Sequence, residues 1–464
     1  MSGQPSGAAP RGGGVSGAAS YAGHDPHDHD HAHNDIVYPD AIPFVLVHLS
    51  LVGIFWTGFT TQAVVLCISL YLVRMWAVTA GFHRYFSHRS FRTSRWFQFV
   101  LAFLGQTSAQ RGVLWWAALH RHHHRHSDTP LDVHSPVHTG FWFSHVGWIF
   151  SPQKNEADYA GIEDFSKYPE LRFLDRHPYL PASLLGIACF VVAGWPGLFV
   201  GFLLSTVILW HGVFAINSLA HVVGSKRYLT ADESRNNWWL ALITLGEGWH
   251  NNHHHYQSST RQGFYWWEID ICYCVLKAMS WVGLVWDLRE PPKHVVEGEA
   301  RLGRKVIEKV ASEWADDFSV DAVVARLREA WDQLPSAPSL EELRAHARDA
   351  AQHARGAAAQ HARDAAQHAR EAAQQARNAA QHAAQHARDA ASGAALAARD
   401  DLVAWFHEVE LPHVPSIDEI REELRGRVAK RYRDSPSLHD IAERARALVV
   451  ERLAHELVLE PRGA

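Results

Sequence analysis

The stretch Gly246-Glu247-Gly248-Trp249-His250-Asn251-Asn252-His253-His254-His255-Tyr256 contains the pattern His-x-x-His-His. On a helix, positions i, i+3 and i+4 lie on one face. We therefore expect His250, His253 and His254 to point at a single site. Neutral imidazole binds iron, zinc, copper and nickel, so the pattern predicts a metal site.

Two earlier stretches repeat this arrangement. His120, His123 and His124 share a helical face, and His83 and His88 lie a little over one turn apart. These eight histidines exceed the ligands that one tetrahedral or octahedral ion takes, so the three clusters together predict a two-metal centre. Two neighbours off the shared faces are predicted to lie beside the centre or in solvent: His122 and His255.

Composition narrows the class of protein. The chain has 464 residues, 34 histidines, four cysteines and a formal net charge of −5. Nothing here suggests a nucleic-acid partner, and the cysteines show neither metal-ligand spacing nor a disulfide framework. Residues 1–40 are rich in Gly, Ser and Ala, so we predict a disordered tail. Its run His24–His33 is either a loose chelator or a solvated polar segment.

Four apolar runs approach the roughly 20 residues that a helix needs to cross a bilayer. They are Ile42–Gly58, Thr61–Phe82, Leu180–Gly201 and Phe202–Val223, and the last pair is broken at Gly194–Gly197. The predicted fold is an all-α integral membrane protein with four transmembrane helices and a helical cap that holds the metals. The alternative, buried helices of a soluble protein, is disfavoured by runs of this length.

All three clusters face one compartment, because an even number of predicted spans separates them. Arginines crowd the segment after the second span, whereas the two turns on the other side carry no Lys or Arg. The positive-inside rule therefore places the clusters and both termini of this multi-pass protein in the cytoplasm. Phe97–Leu119 and Ile269–Val285 contain or adjoin polar residues. We therefore predict that Phe97–Leu119 is a helix that lies in the interface or packs on the cap, and we assign Ile269–Val285 to the cap.

His221 ends the fourth span, and Asn217 precedes it by one turn on the same side. The two side chains either complete the metal coordination or satisfy each other at the interface. Spacing alone leaves these alternatives open.

These motifs together resemble the membrane fatty-acyl desaturases, in particular the acyl-CoA Δ9 (stearoyl-CoA) type. The resemblance spans Ile42 to Leu288 and rests on His83–Phe91, His120–His124, Asp128, Asp132, His134, Phe143–Trp148, Asn217–His221, Gly246–Tyr256 and Gly263–Asp270. It implies an O2-dependent oxidoreductase of fatty acid biosynthesis. Such an enzyme removes two hydrogens stepwise from a saturated long acyl chain and leaves a cis double bond.

The resemblance also implies two Fe2+ ions, with Asn217 acting through water. Carried over residue by residue, the implied iron ligands are His83, His88, His120, His123, His124, His221, His250, His253 and His254.

Tyr71 and Met75 precede His83 at steps of four, which places the three on one helical face. Our hypothesis is that Tyr71 and Met75 stop the methyl end of the acyl chain, and the alternative is ordinary packing between spans. Trp116 and Arg121, in the segment of the second cluster, are further candidate substrate-binding residues.

Five arginines either bind phosphates of a head group or anchor the chain at the anionic leaflet: Arg84, Arg89, Arg92, Arg95 and Arg121. An acyl-CoA substrate is favoured. Because the loop Ser135–Thr139 lacks the basic pair often found in animal members of the family, an acyl-lipid or carrier-protein substrate stays open.

The sequence contains no haem-binding His-Pro-Gly-Gly motif, dinucleotide fingerprint or iron–sulfur cysteine set. We therefore expect a separate ferredoxin, flavoprotein or cytochrome as electron donor.

Residues 291–464 change in character, and we predict a helical extension to the 41–290 desaturase domain. Ala300–Leu334 is amphipathic, and heptad-like repeats rich in Ala and His run from His346. Two further helices are predicted to begin at Ser416 and Ser437. Self-association, membrane-surface contact and donor docking are the roles left open.

Two other classes fit parts of the pattern. A histidine-rich di-iron hydroxylase would share the metal ligands, but the His-x-x-His-His spacing and the run Gly263–Asp270 argue against it. A metal transporter or sensor would explain the histidine-rich tails. Transporters, however, place their ligands at the bilayer midplane, whereas these clusters lie outside the predicted spans. For a desaturase, we expect deletion of residues before Pro39 and after Pro292 to leave activity largely intact.

Overall fold

A computed structural model describes residues 38–151, 157–319, 321, 323–325, 416–427 and 437–458. The His24–His33 run and the heptad-like repeats lie outside the described residues. The described part is predominantly helical and contains one antiparallel two-stranded ribbon, in which β1 Arg92–Thr93 pairs with β2 Val285–Trp286.

The α-helices up to the first long loop are α1 Tyr38–Ser50, α2 Ile54–Thr57, α3 Thr61–Ala77, α4 Arg95–Gln106 and α5 Val113–His126. Short helices follow: α6 Pro136–Thr139, α7 Phe141–His145, α8 Glu163–Ser166 and α9 Pro169–Arg176. The remainder are α10 Leu180–Pro196, α11 Ser205–Ser218, α12 Trp238–Ile243, α13 His250–His255, α14 Ile271–Trp281, α15 Lys293–Val296, α16 Arg304–Asp316, α17 Ile417–Arg427 and α18 Ser437–Val458. Val78–Ser87 and Gly197–Leu204 are π-helical, and Leu51–Gly53, Gly147–Phe150, Tyr159–Ile162 and Leu219–His221 are 3-10 turns.

Two of the described helices are long and apolar enough to cross a membrane, by length and composition: Thr61–Ser87 and Leu180–His221. The second is 42 residues long, but it is not straight, because Ala193 and Gly194 have non-helical backbone angles. A Cβ atom on Gly186 would lie 3.1 Å from the Phe202 ring. The two halves therefore pack antiparallel, and the predicted break is confirmed at Gly194.

Arg74 links these helices by hydrogen bonds, a role that was not predicted from the sequence. The residue is 1% exposed, and its guanidinium donates to Ser205 Oγ at 2.5 Å, Thr206 Oγ1 at 2.7 Å and the Thr107 carbonyl at 3.2 Å. A charge inside an apolar span is costly unless its donors are satisfied. Arg74 meets this condition by bonding α3 to the start of α11 and the end of α4.

The cap differs from the single helix predicted over Phe97–Leu119. The chain forms α4 and α5 instead, because it turns where Ala109 and Arg111 adopt φ values of 56° and 63°. The turn lets α5 pack beside the π-helix Val78–Ser87, where the Phe82 and Trp116 rings lie 5.6 Å apart between centroids. The first and second histidine clusters are thereby brought together.

The described part of the extension forms helices where the sequence predicts them. The α17 helix begins with a capping box, in which Ser416 Oγ accepts the Glu419 N–H at 3.2 Å and Glu419 Oε2 accepts the Ser416 N–H at 2.8 Å. The α18 helix begins at Ser437, and α16 lies inside the predicted range Ala300–Leu334.

Candidate metal centre

Nine histidines converge in the cap, and they form two groups in which the ligand nitrogens lie within 4.8 Å of one another. Group one consists of His83, His88, His120, His124 and His253. Group two consists of His123, His221, His250 and His254. The π-helix and its end, α5, α13 and the turn after α11 supply these side chains.

Each His-x-x-His-His pattern is divided between the two groups. His120 and His124 belong to group one, whereas His123 belongs to group two. The later pattern splits in the same way, with His253 in group one and His250 and His254 in group two. Successive positions on an α-helix differ by 100°, so adjacent histidines diverge. The expectation that each pattern points at a single site is therefore wrong.

The nitrogens of group one cannot be satisfied by hydrogen bonds alone. Nε2 atoms lie 3.0 Å apart between His83 and His253, 3.0 Å between His253 and His124, 2.9 Å between His124 and His120, and 3.0 Å between His120 and His88. A ring nitrogen of neutral imidazole offers one N–H or one lone pair. Three of these nitrogens have two such neighbours each. A cation among the five lone pairs satisfies all of them.

Four carboxylates outside the two groups accept hydrogen bonds from ligand rings. Glu247 pairs with His83 Nδ1, Asp132 with His123 Nδ1 at 2.9 Å, Asp128 with His221 Nδ1 at 2.8 Å and Asp232 with His254 Nδ1 at 2.6 Å. Such partners hold the proton on Nδ1 and direct the Nε2 lone pair at the metal. Among the described residues, the buried His254 Nε2 has no hydrogen-bond partner. The donor set therefore fits two metal ions.

Electrostatics keeps the rings in the ligand form. Burial, reinforced by neighbouring imidazoles, lowers the pKa of four rings in group one well below the usual value: His88, His120, His124 and His253. These rings are neutral, as metal binding requires. Burial alone would raise the pKa of Asp132, but His123 holds it below its ordinary value, so this carboxylate stays charged.

The other predicted residues near the clusters are also located. Asn217 lines a cavity together with His120, His123 and His250, so it borders group two. His122 and His255 belong to neither group, since His122 Nε2 lies 2.9 Å from the Leu131 carbonyl oxygen and His255 stacks on Tyr228 at 4.2 Å. The positions of His122 and His255 outside the two groups agree with what their spacing predicts.

Arg84 does not lie at the surface, so the expectation that it meets a phosphate or the leaflet is wrong. Its side chain is 1% exposed and forms ion pairs with Glu247 at 3.1 Å and Asp270 at 2.9 Å. Because Glu247 also binds His83, this buried network supports group one. This network was not predicted from the sequence. A charged residue directly after a ligand histidine was the available signal.

Arg121 has all five of its N–H groups occupied by protein oxygens. They donate to the carbonyls of Phe86, Ser87 and Gly161 and to both carboxylate oxygens of Asp164. The other three arginines also pair with carboxylates: Arg89 with Asp164, Arg92 with Asp287 and Arg95 with Glu170. The structure thus gives these predicted head-group residues partners within the protein.

Asp232, the partner of His254, is a residue of the site that was not predicted from the sequence. It is 6% exposed and lies in the loop between α11 and α12. The neighbouring acidic pair Asp232-Glu233, between His221 and the third cluster, was the only signal, and acidic pairs usually lie in solvent.

Two adjoining cavities are lined in part by histidines of the two groups. The outer one reaches Gln110, Arg111 and Tyr179, and the deep one reaches Met75 and Thr79. Trp116, His120, Val213 and Asn217 belong to the walls of both. Met75 is fully buried, whereas Tyr71 lies outside this lining and donates its hydroxyl to the Ile243 carbonyl at 2.5 Å. Of the predicted substrate residues, Trp116 lines both cavities and Met75 lines the deep one.

The comparisons with known proteins agree with this geometry. The fatty acid desaturase family profile matches residues 59–279. The sn-1 stearoyl-lipid 9-desaturase of Synechocystis is 37% identical over 55% of this chain and 81% of its own length. The acyl-CoA C20 Delta5-desaturase of Anemone leveillei is 36% identical over 50% of this chain and 76% of its own. A probable lipid desaturase of Arabidopsis thaliana is 35% identical over 48% of this chain and 62% of its own.

The chain therefore belongs to the fatty acid desaturase family. Desaturases are oxidoreductases of lipid metabolism and associate with membranes, so the chain is an enzyme of that class.

Proposed function

We propose that this protein is an O2-dependent fatty acyl-CoA desaturase that introduces a cis double bond, at Δ9, into a saturated long acyl chain. Two Fe2+ ions are bound, one by group one and one by group two, with Asn217 acting through water on the second. The observation that supports this most is the set of Nε2 atoms in group one, which no pattern of hydrogen bonds satisfies.

Removal of hydrogen from an unactivated methylene requires a strong oxidant, which the iron pair and O2 supply. The overall reaction takes two hydrogens from the chain, one O2, two electrons and two protons, and releases two waters. The protein's own residues place the substrate and keep water away. The Trp116 ring stacks on His120 at 4.9 Å and lines both cavities, so it holds a methylene beside the ligands.

Met75 is proposed to stop the methyl end of the chain. In Met75→Ala we expect products about two carbons longer to gain roughly tenfold in preference, because each newly buried methylene contributes about 0.8 kcal/mol. The measurement is the chain-length profile of the products. Leu72→Ala is the control, because that side chain is 45% exposed and should not change the profile. A parental profile in Met75→Ala would reject the assignment.

An acyl-lipid substrate is the second candidate. It is supported by the carboxylate partners of Arg89, Arg92, Arg95 and Arg121, which compete with a CoA phosphate. Two of the three relatives named above carry names that refer to lipid substrates. Turnover of stearoyl-CoA against a phospholipid that carries stearoyl chains, by the purified enzyme, separates the two.

We further propose four membrane crossings, with the metal centre and both termini in the cytoplasm. The hairpin at Gly194 supports two of the crossings, Thr61–Ser87 is a third, and the shorter apolar helix Ala41–Thr57 is a fourth. Electrons come from a separate ferredoxin, flavoprotein or cytochrome. Self-association through the C-terminal helices stays a prediction, because the repeats lie outside the described residues.

Expression in a host that lacks its own synthesis of unsaturated fatty acids tests the function. We expect growth to be restored and cis-monounsaturated acyl chains to accumulate in the lipids. Hydroxylated chains without double bonds would instead identify a di-iron hydroxylase, and lipids without either product would reject the proposal.

A further inference from the structure

Helices α16, α17 and α18 lie beyond residue 279, where the family match ends, yet they share a hydrophobic core with the matched region. Tyr228 and Phe264 from the matched region are buried in one cluster with Trp314, Ile420 and Leu438. The described helices of the extension are therefore packed directly against the part of the chain that holds the histidines.

One ion pair connects this extension to the loop before α12. Lys309 Nζ on α16 lies 2.7 Å from Glu233 Oε1, and Lys226 Nζ lies 2.7 Å from Glu233 Oε2. The side chains of Lys309 and Glu233 are 27% and 28% exposed. The pair is thus partly buried, where two charges attract each other more strongly than at the open surface, so it can hold the loop in one position.

The same loop carries partners of group two. The Glu233 N–H donates to Asp128 Oδ2 at 2.6 Å, and that oxygen accepts from His221 Nδ1 at 2.8 Å. The adjacent Asp232 accepts from His254 Nδ1 at 2.6 Å. Lys309 is thus connected through one residue to the carboxylates that orient two of the four rings in group two.

We propose that the C-terminal extension is a positioning element of the metal centre, and that Lys309 holds the Asp232–Glu233 segment so that His221 and His254 face the second metal. The proposal rests on the di-iron function proposed above. It replaces the expectation that deletion after Pro292 leaves desaturation largely intact. Mutation of a residue that orients a metal ligand typically lowers metal affinity by about 10–100-fold. Because Lys309 acts one contact further away, we expect the lower end of that range.

The test uses the full-length, Fe2+-loaded protein and a ferrous chelator. In Lys309→Met we expect one of the two irons to be released at about tenfold lower chelator concentration, while the other follows the parental curve. Lys309→Arg should restore the parental curve. Lys293→Met is the matched control, since that lysine in the same extension is 87% exposed and pairs with Glu297 at 3.5 Å. A Mössbauer spectrum of the 57Fe-loaded Lys309→Met variant should show one altered iron environment.

Glu233→Gln provides a second variant if Lys309→Met folds poorly, and it should release the same single iron. A parental release curve in both variants would overturn the inference while leaving the di-iron function in place. Loss of both irons together, with a lowered melting temperature, would also overturn it, because it indicates a structural role only. A parental protein that binds no iron would instead reject the proposed function, and the inference with it.

Discussion

In the His124→Ala variant, desaturation is expected to fall more than about 100-fold, with loss of at least one iron per chain. Mutation of a carboxylate that only orients a ligand typically lowers metal affinity or activity by about 10–100-fold. Because His124 belongs to group one itself, we expect its loss to cost more. Its Nε2 atom lies 2.9 Å from that of His120 and 3.0 Å from that of His253. Iron by elemental analysis and product by gas chromatography measure the two losses.

His122→Ala is the matched control, two positions away on the same helix. The His122 side chain contacts the Leu131 carbonyl and belongs to neither group, so activity and iron content should stay near the parental values. Equal losses in the two variants would mean that the effect comes from disturbing α5. Retention of both irons in His124→Ala would contradict the assignment of His124 as a metal ligand in group one.

In Arg84→Met, the free energy of unfolding is expected to fall by about 3–5 kcal/mol, because removing one partner leaves buried charges without compensation. Arg84 lies between Glu247 and Asp270, and it also donates to the Thr260 carbonyl at 2.8 Å. Methionine fills much of the same volume, so the loss reports the charge rather than a cavity. Unfolding of the purified protein in detergent, followed by circular dichroism, measures it.

Arg92→Met controls for the loss of a positive charge. Arg92 and its partner Asp287 have side chains 74% and 60% exposed, and exposed pairs contribute at most about 1 kcal/mol. If the Arg84 and Arg92 variants unfold alike, the Arg84 network is not a major source of stability.

The sequence was informative where its patterns are local. Helical spacing marked out the histidines of α5 and α13, and the apolar runs located the long helices. The glycine at the hairpin, Gly194, was visible because its neighbours are Trp195, Pro196 and Gly197, which a straight span would rarely contain together. The family followed from the combination of these motifs.

The partition of the histidines into two groups depends on geometry that spacing does not contain. His123 and His124 are adjacent in sequence but face different groups. Asp232 was missed and Arg84 was wrongly placed at the surface for a related reason: their partners are distant in the chain, and charged residues are ordinarily exposed. The packing of α16 on the catalytic region likewise depends on contacts between residues such as Lys309 and Glu233, 76 positions apart.

The π-helical winding of Val78–Ser87 has a consequence for the first cluster. His83 and His88 are five positions apart, and their rings lie 4.8 Å apart between centroids. In a regular α-helix, side chains at that separation would diverge by about 140°. The wider winding is what allows a His-x-x-x-x-His spacing to serve one ion. Searches for similar centres in other membrane proteins should therefore specify the winding of the helix as well as the spacing of its histidines.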